Sequence, residues 1–65
     1  MADSPEIHER AMETHEQAAV RHEKAAEFWE DRQDTERAEL ERRNAQVERE
    51  AAELERERAR LAREG

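Results

Sequence analysis

Residues 25–40 read Ala25-Ala26-Glu27-Phe28-Trp29-Glu30-Asp31-Arg32-Gln33-Asp34-Thr35-Glu36-Arg37-Ala38-Glu39-Leu40. The run from Glu30 to Arg37 is the longest stretch without an apolar side chain, and two heptad patterns meet across it out of phase. Before it, Ala11, His15, Ala18, His22, Ala25 and Trp29 follow a 4-3 spacing. After it, Leu40, Val47, Leu54 and Leu61 repeat every seven residues, as do Ala38, Ala45, Ala52 and Ala59. A seven-residue period keeps side chains on one slowly drifting stripe of a helix, the pattern of packed helices. From Ala25 to Leu40 is two heptads plus one residue, so a single rod would need a skip there. Asp34 supplies an N-cap for a new helix, with Glu36 in its first turn. Gln33 would then take the left-handed position that ends the first helix, where glycine is usual. Ser4 as N-cap, Pro5 at the first helical position and Glu6 mark the other start.

These signals predict an all-α chain: an antiparallel two-helix hairpin with helices over about 5–32 and 35–63, turning near 32–35. Residues 1–65 form a single helical-hairpin domain in this reading, which assembles further into a helical bundle or coiled coil. The competing reading is one long continuous helix. Composition supports helix in either case. Ala, Glu, Lys, Leu and Arg dominate the chain, and all favour helices.

In an antiparallel pair, facing residues sum to a constant. His8 with Ala59, His15 with Ala52, His22 with Ala45 and Trp29 with Ala38 all sum to 67. The expected seam therefore sets each larger side chain of helix 1 against an alanine of helix 2, which favours close packing without voids. The Leu40, Val47, Leu54 and Leu61 stripe lies about 160° around helix 2 from its alanines and cannot serve that seam. Taken as d positions, the four give a positions at Arg37, Asn44, Ala51 and Arg58, with Asn44 as a register-setting polar residue. Leu40, Asn44, Val47, Ala51, Leu54 and Leu61 are therefore the expected interaction face. In a parallel dimer Glu50 would meet Glu55, so an antiparallel or four-helix arrangement is preferred. Met12, Ala19, Ala26 and Phe28 offer further apolar surface on helix 1.

The segment Ala26–Ala45 resembles a single tetratricopeptide-type hairpin. Ala26, Trp29, Asp34, Ala38 and Ala45 match that repeat's small helix-A residue, helix-A aromatic, turn Asp and two small helix-B residues. Gln33 stands where the repeat has a turn Gly, and Arg42 where it has an aromatic. The resemblance implies a helical hairpin. A repeat scaffold needs about three copies, and there is one here. The HExAA…W…D..RA pattern is also similar to that of short uncharacterised actinobacterial helical proteins, a similarity that implies no activity.

Composition argues against most chemistry. Of 65 residues, 48% are charged, the net charge is −7, and there is no Cys. Such a chain has little material for an enclosed pocket, so no enzyme, catalytic residue or cofactor is expected. A disulfide or thiolate metal site is impossible. His8, His15 and His22 stand seven apart, about 10.5 Å along a helix, too far to share an ion. Their i±3 and i±4 neighbours are only Met, Ala, Ser and Pro, so no metal is expected. Glu9, Glu16 and Glu23, adjacent in sequence, would favour charged imidazoles, and burial the neutral form.

Residues 1–33 carry nine acidic and four basic groups, residues 34–65 ten and eight. Neither half has the positive footprint that nucleic acid needs. The helix 2 arginines, as in Glu39/Arg42/Arg43 and Glu53/Arg56, read as local i+3 and i+4 pairing. No apolar run suits a membrane span, no basic amphipathic face a membrane surface, and Met1-Ala2-Asp3-Ser4-Pro5-Glu6 has no leader-like pattern. The expectation is a cytoplasmic, non-enzymatic protein–protein interaction module. Its partner would be a second copy in a homodimer, or a larger protein on which it serves as an accessory or regulatory subunit. The third reading is a charged helical spacer.

Overall fold

The computed structural model describes residues 3–65; Met1 and Ala2, part of the N-terminal stretch read above, lie outside the described residues. Two helices, α1 (Pro5–Asp31) and α2 (Thr35–Glu64), pack antiparallel against each other as a hairpin. No strand occurs among the described residues. The hairpin is long and thin, with Cα extents of 49 × 14 × 13 Å.

The turn follows from three residues. Asp34 N donates to Trp29 O at 2.9 Å and Gln33 N to Glu30 O at 2.8 Å. This crossed pair is the Schellman closure, which needs one residue in the left-handed region. Gln33 takes it, with φ 61°. A side chain there costs about 1–2 kcal/mol relative to a right-handed conformation. Asp34 then caps α2: its Oδ1 accepts from Arg37 N at 3.0 Å and its Oδ2 from Arg37 Nη1 at 2.5 Å. These bonds hold the Asp34 carboxyl below its ordinary pKa, the Arg37 backbone N–H foremost. Capping and chain reversal thus use adjacent residues.

The other helix start differs from expectation. Ser4 has the extended backbone of an N-cap, and its carbonyl accepts from Ile7 N at 3.2 Å. Its hydroxyl, however, makes no cap bond and donates to Glu6 Oε2 at 2.8 Å. The hydroxyl is turned toward the Glu6 carboxylate, and the Ser4 bond first, then the Glu6 backbone N–H, hold that carboxyl below its ordinary pKa. α2 ends at Gly65, whose N–H donates to Leu61 O at 3.1 Å.

The core is made of alanine. Ala38, Ala45, Ala52 and Ala59 from α2 are 0–4% exposed, and Ala19 and Ala26 from α1 are 2% and 1% exposed. No larger side chain is fully buried among the described residues. Ala19 and Ala26, expected on outer surface, are thus the innermost residues of α1. The His8, His15, His22 and Trp29 row is half-buried beside them. The reason is steric. Two helices approach closely only where both present methyl groups, and an imidazole fits only off the line of closest approach. Methyl burial yields little free energy per residue, on the order of 0.8 kcal/mol per carbon. The hairpin therefore stands near the lower limit for a chain of this size.

Candidate interaction face and the two edges of the seam

With the alanine rows taken as the line of contact, each neighbouring row has a fixed place. Three residues on, a side chain lies about 60° to one side; four residues on, about 40° to the other. On α1 these rows are His8, His15, His22 and Glu9, Glu16, Glu23, Glu30. On α2 they are Glu41, Glu48, Glu55 and Arg42, Arg49, Arg56, Arg63. The seam therefore has a histidine edge and an arginine edge.

Along the histidine edge three cross-helix bonds repeat by seven. His8 Nδ1 meets Glu55 Oε2 at 2.6 Å, His15 Nδ1 meets Glu48 Oε2 at 2.6 Å, and His22 Nδ1 meets Glu41 Oε2 at 2.7 Å. All six side chains are half-buried. The glutamates sit one turn before Ala45, Ala52 and Ala59, so each ring leans over the seam to reach its acceptor. His8 has a second partner: Nε2 meets Asp3 Oδ1 at 2.7 Å. Only the imidazolium can donate from both nitrogens. The two carboxylates accordingly raise the His8 pKa, Glu55 most and Asp3 next. Glu55 is lowered in turn, first by His8 and then by Arg58, whose Nη1 donates to Glu55 Oε1 at 2.5 Å. Glu9, Glu16 and Glu23 are not the histidines' partners, contrary to their adjacency in sequence. They face the opposite edge.

Along the arginine edge the ion pairs are Glu9–Arg63 at 2.7 Å, Glu23–Arg49 and Glu30–Arg42. Arg42 thus crosses to α1 instead of pairing along its own helix. Local pairs do occur on α2, at Arg58–Glu55, Arg60–Glu57 and Arg60–Glu64. Beneath the arginines the seam is open. Shallow grooves of about 300 Å³ lie over Ala19 and Ala52, lined by Glu16, Val20, Arg49 and Arg56, and over Ala45 beside Glu23 and Arg42. Long flexible side chains bridge these gaps without filling them.

At the turn the fourth slot of the histidine row holds Trp29. Its ring stacks edge-on against Phe28, centroids 5.0 Å apart, and Arg37 lies 5.0 Å over it. Arg32 covers the Phe28 ring at 3.4 Å. Cation–π contacts of this kind add on the order of 0.5–1 kcal/mol at exposed sites.

The expected interaction residues are spread over the surface of α2. Leu40, Val47, Leu54 and Leu61 are 56–60% exposed. Asn44 is exposed and Ala51 half-buried, between the stripe and the histidine edge. Among the described residues, Ile7, Val20 and Phe28 are the other exposed large apolar side chains. As for chemistry, the Ser4 hydroxyl donates to Glu6 and the Thr14 hydroxyl to Arg10 O at 3.0 Å, so neither meets a histidine. Among the described residues no group of three or more His, Asp or Glu side chains could hold a metal ion. No described helix is long and apolar enough to cross a membrane.

The histidine–glutamate pairs are what reading by heptad alone missed. The signal was available in the antiparallel register. His8, His15 and His22 sum with Glu55, Glu48 and Glu41 to a constant 63, just as they sum with the alanines to 67. No protein-family model, curated protein or solved structure matches the chain.

Proposed function

We propose that this chain is a small non-enzymatic interaction module that self-associates through Leu40, Val47, Leu54 and Leu61. One observation carries the reading: four branched apolar side chains at heptad spacing remain more than half exposed, on a helix whose opposite face is already used by the hairpin. A row of this length along one helix is the arrangement by which helices anchor in grooves or bundles. The all-alanine core adds a reason for a partner, because a hairpin of this size gains little from its own seam. A second copy in a two-fold dimer is the commonest solution among soluble oligomers. Charged flanks such as Arg43, Glu50 and Glu57 would then set orientation more than affinity.

Sedimentation velocity tests this. The wild-type chain of 7.7 kDa should sediment as two chains. Leu54→Glu, which buries a carboxylate at the centre of the stripe, should reduce it to one while leaving far-UV helicity in place. A wild-type monomer, or a Leu54→Glu dimer of unchanged affinity, would defeat the reading.

A further inference from the structure

The two flanks of the hairpin differ in charge as much as in packing. On the histidine side, the next row of each helix lies about 100° from the seam and the row after it about 160°. Those rows are Ala11, Ala18 and Ala25, then Ile7, Thr14, Arg21 and Phe28, on α1. On α2 they are Arg37, Asn44, Ala51 and Arg58, then Leu40, Val47, Leu54 and Leu61. Together with the His–Glu pairs this face carries four carboxylates, Asp3, Glu41, Glu48 and Glu55, and four arginines, Arg21, Arg32, Arg37 and Arg58. It is neutral when the histidines are neutral, in a chain whose net charge is −7.

The arginine side, counted over the matching three rows of each helix, beginning at Glu6, Glu9 and Arg10 on α1 and at Glu36, Glu39 and Arg42 on α2, holds fourteen acidic groups against eight basic ones. Two copies meeting there would bring like charges together; two copies meeting across the histidine side would not. Burial agrees with charge. In the rows next to the seam pairs, Ala11, Ala18, Ala25 and Ala51 are half-buried and Arg37, Asn44 and Arg58 exposed on the histidine side, whereas Glu13, Val20, Glu27, Glu39, Gln46, Glu53 and Arg60 on the other side are all exposed. The hairpin as a whole extends 49 × 14 × 13 Å at the Cα level, so a flank to which both helices contribute compares with the roughly 800 Å² per partner of a standard interface.

We infer that the second copy docks face to face across the histidine edge, on a surface to which both helices contribute, and not on the outer side of α2 alone. The inference rests on the self-association proposed above and specifies its geometry. Two hairpins so placed form a four-helix arrangement. The leucine row of α2 and the Ile7/Phe28 row of α1 border it, and small alanines and the His–Glu pairs occupy its middle. The pairs recur every seven residues as polar layers, and polar groups in an otherwise apolar interface favour one register over its neighbours.

The test is to place a charge on α1, away from the leucine stripe. Ala18→Arg should convert the two-chain species to one chain in sedimentation velocity, with α-helical CD retained. Thr14→Arg, at an exposed position in the adjacent row, should do the same without touching the seam. Val20→Arg, on the opposite side, should leave the mass at two chains. If Leu54→Glu dissociates the dimer while both α1 arginines leave it intact, self-association stands and this geometry is wrong. Dissociation by Val20→Arg also overturns it. A wild-type monomer overturns both readings together.

Discussion

The histidine edge and the arginine edge flank the same alanine seam at nearly the same angle, and they are held by opposite means. On one, a short planar ring leans over the methyl groups and donates to a half-buried carboxylate of the other helix. On the other, long guanidinium side chains reach across to the half-buried Glu9 and Glu23 beside shallow grooves. The first edge spends its polar groups inward and leaves a small-residue surface whose acidic and basic groups nearly balance. The second keeps its charge in water. The comparison teaches that in a hairpin with an alanine core the edge rows decide both how tightly the helices close and which face remains for a partner.

The seam beneath both edges should be the most sensitive part. Ala45 is 1% exposed, and Ala45→Leu inserts three carbons where the helices are closest. Overpacking of this kind costs about 1–3 kcal/mol, a large share of the total for so small a chain. We expect a Tm lowered by more than 10 °C, or loss of a cooperative melt. An unchanged melting curve would mean that the seam is looser than the alanines imply.

The histidine edge should come next, with a pH signature that the arginine edge lacks. His8 is raised above its ordinary value of 6.5, so its contribution is full below that pH and is lost as pH rises through the higher folded-state value. Glu55 is lowered from 4.5, so its contribution is present above that pH and is lost as pH falls through the lower folded-state value. Stability should therefore be greatest between those limits, in mildly acidic solution, and decline toward pH 8. His8→Gln should flatten the alkaline decline. A wild-type Tm that rises between pH 6 and 8 would contradict the pairing.

The arginine edge should matter least. Arg49→Gln removes one exposed pair, which is worth about 0.5 kcal/mol and is weakened by salt. Its effect in thermal melts should vanish by 0.5 M NaCl. A salt-independent loss above 1 kcal/mol would place Arg49 in the core of the structure instead of its rim.

Much of the fold was legible because its signals agree locally. The phase slip between Ala25 and Leu40 and the capping Asp34 both point to one turn, although the glycine that usually ends a helix is absent and Gln33 has to stand in for it. Gln33 does adopt the left-handed conformation there. What periodicity could not decide was which row of α1 lies innermost. Ala11/Ala18/Ala25, His8/His15/His22 and Met12/Ala19/Ala26 all repeat by seven, and a period carries no absolute phase. Side-chain volume excludes only the imidazoles from the line of contact. Between the two alanine-bearing rows the flanking pairs decide, because centring Ala19 and Ala26 sets the histidines against Glu41, Glu48 and Glu55 on one side and Glu9 and Glu23 against Arg63 and Arg49 on the other. The cross-helix His–Glu pairs were hidden for a related reason. Glutamate is so frequent in this chain that sequence neighbours such as Glu9 and Glu16 look like equally good partners. The Ser4 hydroxyl donates to Glu6 and makes no cap bond, a local choice that the Ser-Pro-Glu pattern does not reveal.

Asn44 and Gln46 offer the most direct test of how the two faces differ. Both are exposed polar residues of α2, placed on opposite sides of the seam, and the chain has no cysteine to interfere. Nitroxide labels on Asn44→Cys and on Gln46→Cys can be compared by pulsed dipolar spectroscopy in otherwise identical samples. A second hairpin across the histidine edge predicts a short, well-defined intermolecular distance for the label at position 44 and a longer, broader one at 46. The reverse pattern, or no intermolecular coupling at either position, would contradict it.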